Sequence, residues 1–130
     1  MSIFETALAV GLKAGLKMSR VSLTYTSISD SENPIPLKGT QGKKLFKIQK
    51  PGEPVVYVES VDFLILVADL VIDDTLTTPQ RGDEISRVQD GEKFTYKVLP
   101  MGKELPFFQY SDTGKTVFRI HTKLFKQEPA

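Results

Sequence analysis

The stretch from Pro79 to Lys123 constrains the fold of this chain more than any other part of it. Pro79-Gln-Arg-Gly-Asp-Glu-Ile85 punctuates a turn and then starts a strand, and Asp90-Gly91 is the dipeptide of a two-residue hairpin turn. Phe94-Thr-Tyr-Lys-Val98 alternates as the returning strand, and Thr116-Val-Phe-Arg-Ile-His-Thr-Lys123 reads as a terminal strand. Turn, hairpin and closing strand together predict the second half of a small β-barrel.

The first half carries weaker signals of the same kind. Val21, Leu23 and Tyr25 alternate with polar residues as a half-buried strand does, and Ser27 to Pro36 reads as a polar loop ending in Asn33-Pro-Ile-Pro36. Lys43 to Gln49 and Val55 to Val58 predict a hairpin joined by Lys50-Pro-Gly-Glu-Pro54. Phe63 to Val67 is apolar on both faces, as in a fully buried strand or a short core helix, with its β-branched residues and flanking turns favouring the strand, and Ala68-Asp-Leu70 turns the chain with Asp69 satisfying local backbone donors. From Val117 the alternation places Phe118, Ile120 and Leu124 on the core face and Arg119, His121 and Lys123 on the other.

Before all this, Phe4, Leu8, Leu12 and Leu16 recur every four residues, and Ser2 with Glu5 resembles a capping box. Gly11 and Gly15 weaken such a helix by up to about 1 kcal/mol each, so its stripe needs the flank or open end of the barrel, or a neighbouring subunit. The expected organisation is one domain: an N-terminal helix over 1–19, a barrel over 20–126 and a flexible tail over 127–130. The fold class is mainly β, a small β-barrel or rolled β-sandwich of about six to eight strands with one N-terminal α-helix.

Chemistry is sparse. With 130 residues, no cysteine and one histidine, the chain has no thiolate nucleophile, no disulfide and no cysteine-based metal site. His121 is placed between Arg119 and Lys123, where a metal ion would meet cations instead of carboxylate partners. The acidic residues fall mostly at turns, and neither a phosphate-binding glycine loop nor a nucleophile elbow is present. Arg81-Gly82-Asp83 matches a short adhesion tripeptide, yet a turn into Ile85 accounts for it. No cofactor, no metal and no enzymatic activity are expected. A formal charge of +1 removes any global pull toward nucleic acid or anionic membrane. No segment has the length and apolar character of a membrane span. Two surfaces remain as candidates for interaction. Phe107, Phe108 and Tyr110 concentrate aromatic rings in a loop or short strand, and Arg119, His121 and Lys123, extended by Lys126, form a row able to face DNA.

Pro79, Gly82, Asp83 and Ile85, followed by Tyr96 and Val98, stand in the order Pro-x-x-Gly-Asp-x-Ile then Tyr-x-Val. In this the chain resembles the head-completion and head-tail joining proteins of tailed bacteriophages, small barrels also described as stoppers or connectors. The resemblance implies a structural virion protein of the neck, made in the bacterial cytoplasm, that completes the head and docks the tail. It implies a homo-oligomeric ring, with a portal or adaptor protein on one side, a tail terminator or tail tube protein on the other, and DNA passing without sequence specificity. In such a ring the helix residues Leu8 and Leu12, or the aromatics Phe107, Phe108 and Tyr110, are expected at a subunit or neck-partner contact. A tail terminator is the nearest alternative. The alternative from another class is a single-stranded nucleic-acid-binding barrel, stacking bases on Phe107, Phe108 and Tyr110.

Overall fold

The computed structural model describes residues 20–102 and 105–130. β1 (Val21–Ser27), β2 (Asp30–Ile48) and β3 (Val56–Leu66) come first. A single 3-10 turn over Val67–Asp69 and a small ribbon of β4 (Val71–Ile72) and β5 (Thr75–Leu76) follow. β6 (Glu84–Gln89), β7 (Glu92–Val98), β8 (Phe108–Tyr110) and β9 (Val117–Pro129) complete the chain. The fold is mainly β. Apart from the ribbon, the strands form one antiparallel sheet in the order β3-β2-β1-β6-β7-β9-β8, curled so far that β3 also pairs with β9. The helix expected over 1–19 lies outside the described residues.

The long strand β2 makes the curl possible. Its first half pairs with β1 and its second half with β3, and Gly39 stands at the change, opposite Val21 on one side and Ile65 on the other. A Cβ there would come within 2.7 Å of the Leu64 carbonyl oxygen and 3.0 Å of a Leu23 methyl, so only glycine lets the strands approach at this corner. Residues 30–36, expected as a loop, are part of β2. The misleading signals were Pro34 and Pro36, which are tolerated because this half of β2 pairs only with β1 and needs no donors along its other edge.

Inside the curl, Leu23, Tyr25, Leu37, Phe63, Ile65, Leu70, Ile85, Tyr96, Val98, Phe118 and Ile120 form one core. The Pro-x-x-Gly-Asp-x-Ile segment latches it. Gly82 has φ +96°, its N–H donates to the Val98 carbonyl at 2.8 Å, and the Val98 N–H returns the bond to the Asp83 carbonyl at 2.8 Å. The Asp83 carboxylate, 1% exposed, accepts the Ile28 and Gln80 backbone N–H groups at 2.9 Å each and also the Tyr25 hydroxyl. Burial, reinforced by that carboxylate, pushes the Tyr25 phenol above its ordinary range, so the hydroxyl remains a donor. At the far end of the next hairpin, Asp90 (φ +53°) and Gly91 (φ +78°) supply the two left-handed residues the turn needs.

The C-terminus departs from expectation. Residues 127–129, predicted as part of a flexible tail, continue β9: Gln127, Glu128 and Pro129 lie opposite Phe94, Lys93 and Glu92, and the Ala130 N–H donates to the Gly91 carbonyl at 3.0 Å. The strand is held because the β6–β7 hairpin extends as far as it does. Leu124, predicted as core, is 50% exposed, since the buried part of β9 ends at Thr122.

Candidate docking surfaces and the buried Asp62 centre

β3 and β9 pair only from Val61 opposite Thr122 to Leu66 opposite Val117. Past that limit the β2–β3 hairpin continues through Ile48 and Val56, and β9 continues to Pro129 against β7 alone. Because β9 is antiparallel to β3, the two extensions leave the seam in the same strand direction. Among the described residues they carry five exposed large apolar side chains. Leu45, Val56 and Tyr57 on the first and Leu124 and Phe125 on the second are each at least 50% exposed, as is Val88 on β6, on the other side of β7. Single exposed apolar residues are ordinary, but two concentrations on projecting strands, interspersed with Lys44, Lys47, Lys93, Lys97 and Lys123, have the composition of partner contacts. Phe125 is the extra residue of a bulge, where the pairing passes from Thr95 opposite Lys126 to Tyr96 opposite Leu124. The Lys97 ammonium lies 4.1 Å from the centre of its ring.

The buried polar centre lies at the seam. Strand alternation puts Asp62 and His121, directly opposite each other, on the face away from the main core, yet they are 1% and 0% exposed. The segment after β7 returns over this face: the Leu99 N–H donates to the His121 carbonyl at 3.2 Å and the His121 N–H to the Phe107 carbonyl at 2.9 Å. A Cβ on Gly102 would lie 3.0 Å from a Leu105 methyl and 3.3 Å from the Ile48 Cδ1. Asp62 accepts from Ser60 Oγ at 2.5 Å, Arg119 Nε at 2.5 Å and His121 Nδ1 at 2.9 Å, and the Phe46 ring stands edge to face with His121 at 5.1 Å. Burial alone would raise the Asp62 carboxyl. The hydrogen bonds from His121, Ser60 and Arg119 outweigh it and hold the group below the ordinary carboxylate range. Serine, aspartate and histidine are the residue types of a hydrolytic triad, but here Ser60 donates to the aspartate instead of the imidazole, and the group is closed to solvent. The chemistry this arrangement can do is to fix the seam.

The predicted site residues therefore separate. His121, read as a solvated face residue, is fully buried, because Asp62 supplies the partner and Leu99 and Phe107 flank it with backbone hydrogen bonds. Arg119 is half-buried, holding Asp62 and donating from Nη2 to the Lys43 carbonyl at 3.3 Å, while Lys123 is exposed opposite Lys97. Phe107 and Phe108 are half-buried, and Tyr110 is 38% exposed. Phe108 packs on Phe118 at 5.5 Å and Tyr110 stacks on Phe118 at 5.4 Å. Leu8 and Leu12 lie outside the described residues. The exposed six were not singled out from sequence. The available signal was Val55-Val-Tyr-Val58, a hairpin strand apolar on both faces although only one face of a hairpin can be covered.

A small antiparallel β domain whose buried polar groups hold its seam, and whose apolar surplus lies on two projecting strand extensions, has the make-up of a structural, partner-binding protein. The family model for phage head-tail joining protein matches residues 1–129. The chain belongs to that family, which makes it a structural component of the phage virion, with its partners among the head and tail proteins. No curated protein matches the sequence. Among the described residues, no helix is long and apolar enough to cross a membrane.

Proposed function

We propose that the protein forms a ring in the phage neck, between the portal or its adaptor and the tail terminator or tail tube, that seals the filled head and docks the tail. The observation that carries this reading is the pair of exposed apolar extensions, Leu45, Val56 and Tyr57 on one and Leu124 and Phe125 on the other, with Val88 nearby on β6. They are unlike surfaces on one chain, and a head-to-tail contact between unlike surfaces closes into a ring when the rotation between subunits permits. The exposed edge of Tyr110 on β8 extends the subunit contact. Lys97 and Lys123 face each other across β7 and β9, an arrangement that opposes folding slightly and favours an anionic neighbour, here the passing DNA or an acidic patch of a neck partner. The role is mechanical and not catalytic. The single-stranded nucleic-acid reading loses support, because the rings it would offer to bases already pack on one another and on Phe118.

The test is a head-tail joining assay with folded Leu45→Ser/Tyr57→Ser and Leu124→Ser/Phe125→Ser variants. Each pair is expected to reduce joining by about tenfold or more, the effect of losing one well-packed interface side chain. Joining at the unmodified level by both pairs would remove the extensions from the interface. Heads that retain DNA and accept tails without the protein would remove the function itself.

A further inference from the structure

An apolar cleft of about 260 Å³ opens beside the 3-10 turn, lined by Leu66, Val67, Ala68, Leu76, Lys115 and Thr116. We propose that its occupant is the leucine stripe of residues 1–19 of the same chain, seated by Leu16 and Leu12. Several observations meet here. The cleft falls just below the roughly 300–1,000 Å³ of a small-molecule site, a size suited to inserted side chains. Leu76 is 65% exposed and Val71 37% exposed on the two-pair β4–β5 ribbon, whose Ile72 alone packs against the core, so one side of the ribbon is left uncovered.

The chain enters the described structure at this cleft. Arg20 is tied to Asp69 by a 3.0 Å ion pair, and Asp69 follows Ala68 of the lining directly. Leu16 precedes Arg20 by four residues, about 6 Å in a helix or at most about 14 Å extended, so it cannot be far from the cleft in either conformation. The stripe Phe4, Leu8, Leu12 and Leu16 needs an apolar surface, as the cleft does. A tethered segment meets a neighbouring site at millimolar effective concentration, which favours this chain over a second copy. Asp69 thus serves as the anchor of the strap, in place of the local turn role its sequence context predicted.

The absence of cysteine makes the test clean. In the 130-residue chain, Leu16→Cys/Leu76→Cys and Leu12→Cys/Leu76→Cys would be oxidised under mild conditions, with Ala14→Cys/Leu76→Cys, on the opposite side of the helical period, as control. At least one stripe pair is expected to close within a single chain, seen as a faster-migrating monomer on a non-reducing gel, while the control pair stays open. Closure of neither stripe pair, or equal closure of the control, would overturn the proposal. Closure between chains would give the cleft to a neighbouring copy and overturn the cis assignment. In the cysteine-free chain, Leu12→Ser/Leu16→Ser, which adds no tryptic site, should speed cleavage after Lys13 and Lys17 several-fold and raise binding of an apolar dye, and unchanged cleavage would overturn the seating.

Discussion

Replacing Asp62 is the most demanding perturbation of the seam. Asp62→Ala removes the acceptor of three hydrogen bonds at once, from Ser60, Arg119 and His121, at a position 1% exposed. Breaking a buried ion pair from one side costs about 3–5 kcal/mol. Arg119 is 27% exposed and can turn outward, whereas His121, at 0%, cannot, so the lower end, about 3 kcal/mol, is expected. Asp62→Asn keeps the shape and one acceptor oxygen and loses the charge, so about 1–2 kcal/mol is expected. Against a total stability of roughly 5–15 kcal/mol, both are measurable as shifts in the urea midpoint at unchanged slope. The pH dependence has a definite sign. The folded carboxyl is held below its ordinary value, so its contribution is present in full above the unfolded value of about 3.9 and is lost as pH falls through the lowered folded value. The gap between the unmodified protein and Asp62→Asn should therefore be largest above about pH 5 and shrink below about pH 4. An Asp62→Ala variant within about 1 kcal/mol of the unmodified protein, or a gap that does not shrink in acid, would refute the reasoning.

At the Asp83 latch, Tyr25→Phe should cost about 1–2 kcal/mol and Asp83→Ala more, since the latter also unpairs the Ile28 and Gln80 N–H groups; the order of urea midpoints checks this. Gly82→Ala, at φ +96° with the Ile28 Cδ1 2.8 Å from the new Cβ, should destabilise by about 1–3 kcal/mol. Gly42→Ala, with nothing within 4 Å, should instead stabilise by about 0.5 kcal/mol, and the same titration separates the two signs. Ile120→Asp, at 0% exposure, should lose several kcal/mol, about 3 or more, whereas exposed Lys123→Ala should stay within about 0.5 kcal/mol. Equal midpoints for that last pair would show that the faces of β9 are reversed.

What could be read from the sequence was what local chemistry decides. Asp90-Gly91 names its own turn, and Gly82 with Asp83 encodes a left-handed residue followed by a carboxylate that takes the nearby Gln80 N–H, both local, whereas the Ile28 and Tyr25 partners of Asp83 come from distant parts of the chain. Pro34 and Pro36 misled because a proline reports a missing donor, not whether an unpaired edge makes that donor unnecessary. The burial of His121 depends on Asp62, 59 residues away, and on a return segment whose path no periodicity records. Alternation likewise put Leu124 on the core face but could not say that the covered part of the strand stops at Thr122, because that limit is set by where β3 stops pairing.

That limit also separates folding from docking. Beyond it Phe46 is still covered, against His121, but Leu45, Tyr57, Leu124 and Phe125 are each at least 50% exposed and so add little to stability. Burying one such side chain at a contact is worth about 1.5–3 kcal/mol, which appears only on assembly. Because every subunit of a ring repeats the contact, a loss of about 1.4 kcal/mol, tenfold at one interface, recurs at each of them. A chain built this way should tolerate polar substitution on the extensions as a monomer and fail as a ring. Leu45→Ser/Tyr57→Ser should therefore shift the urea midpoint by no more than about 0.5 kcal/mol equivalent while joining falls. If stability and joining fell in proportion, the extensions would be part of the cooperative core and the separation argued from the seam would be wrong.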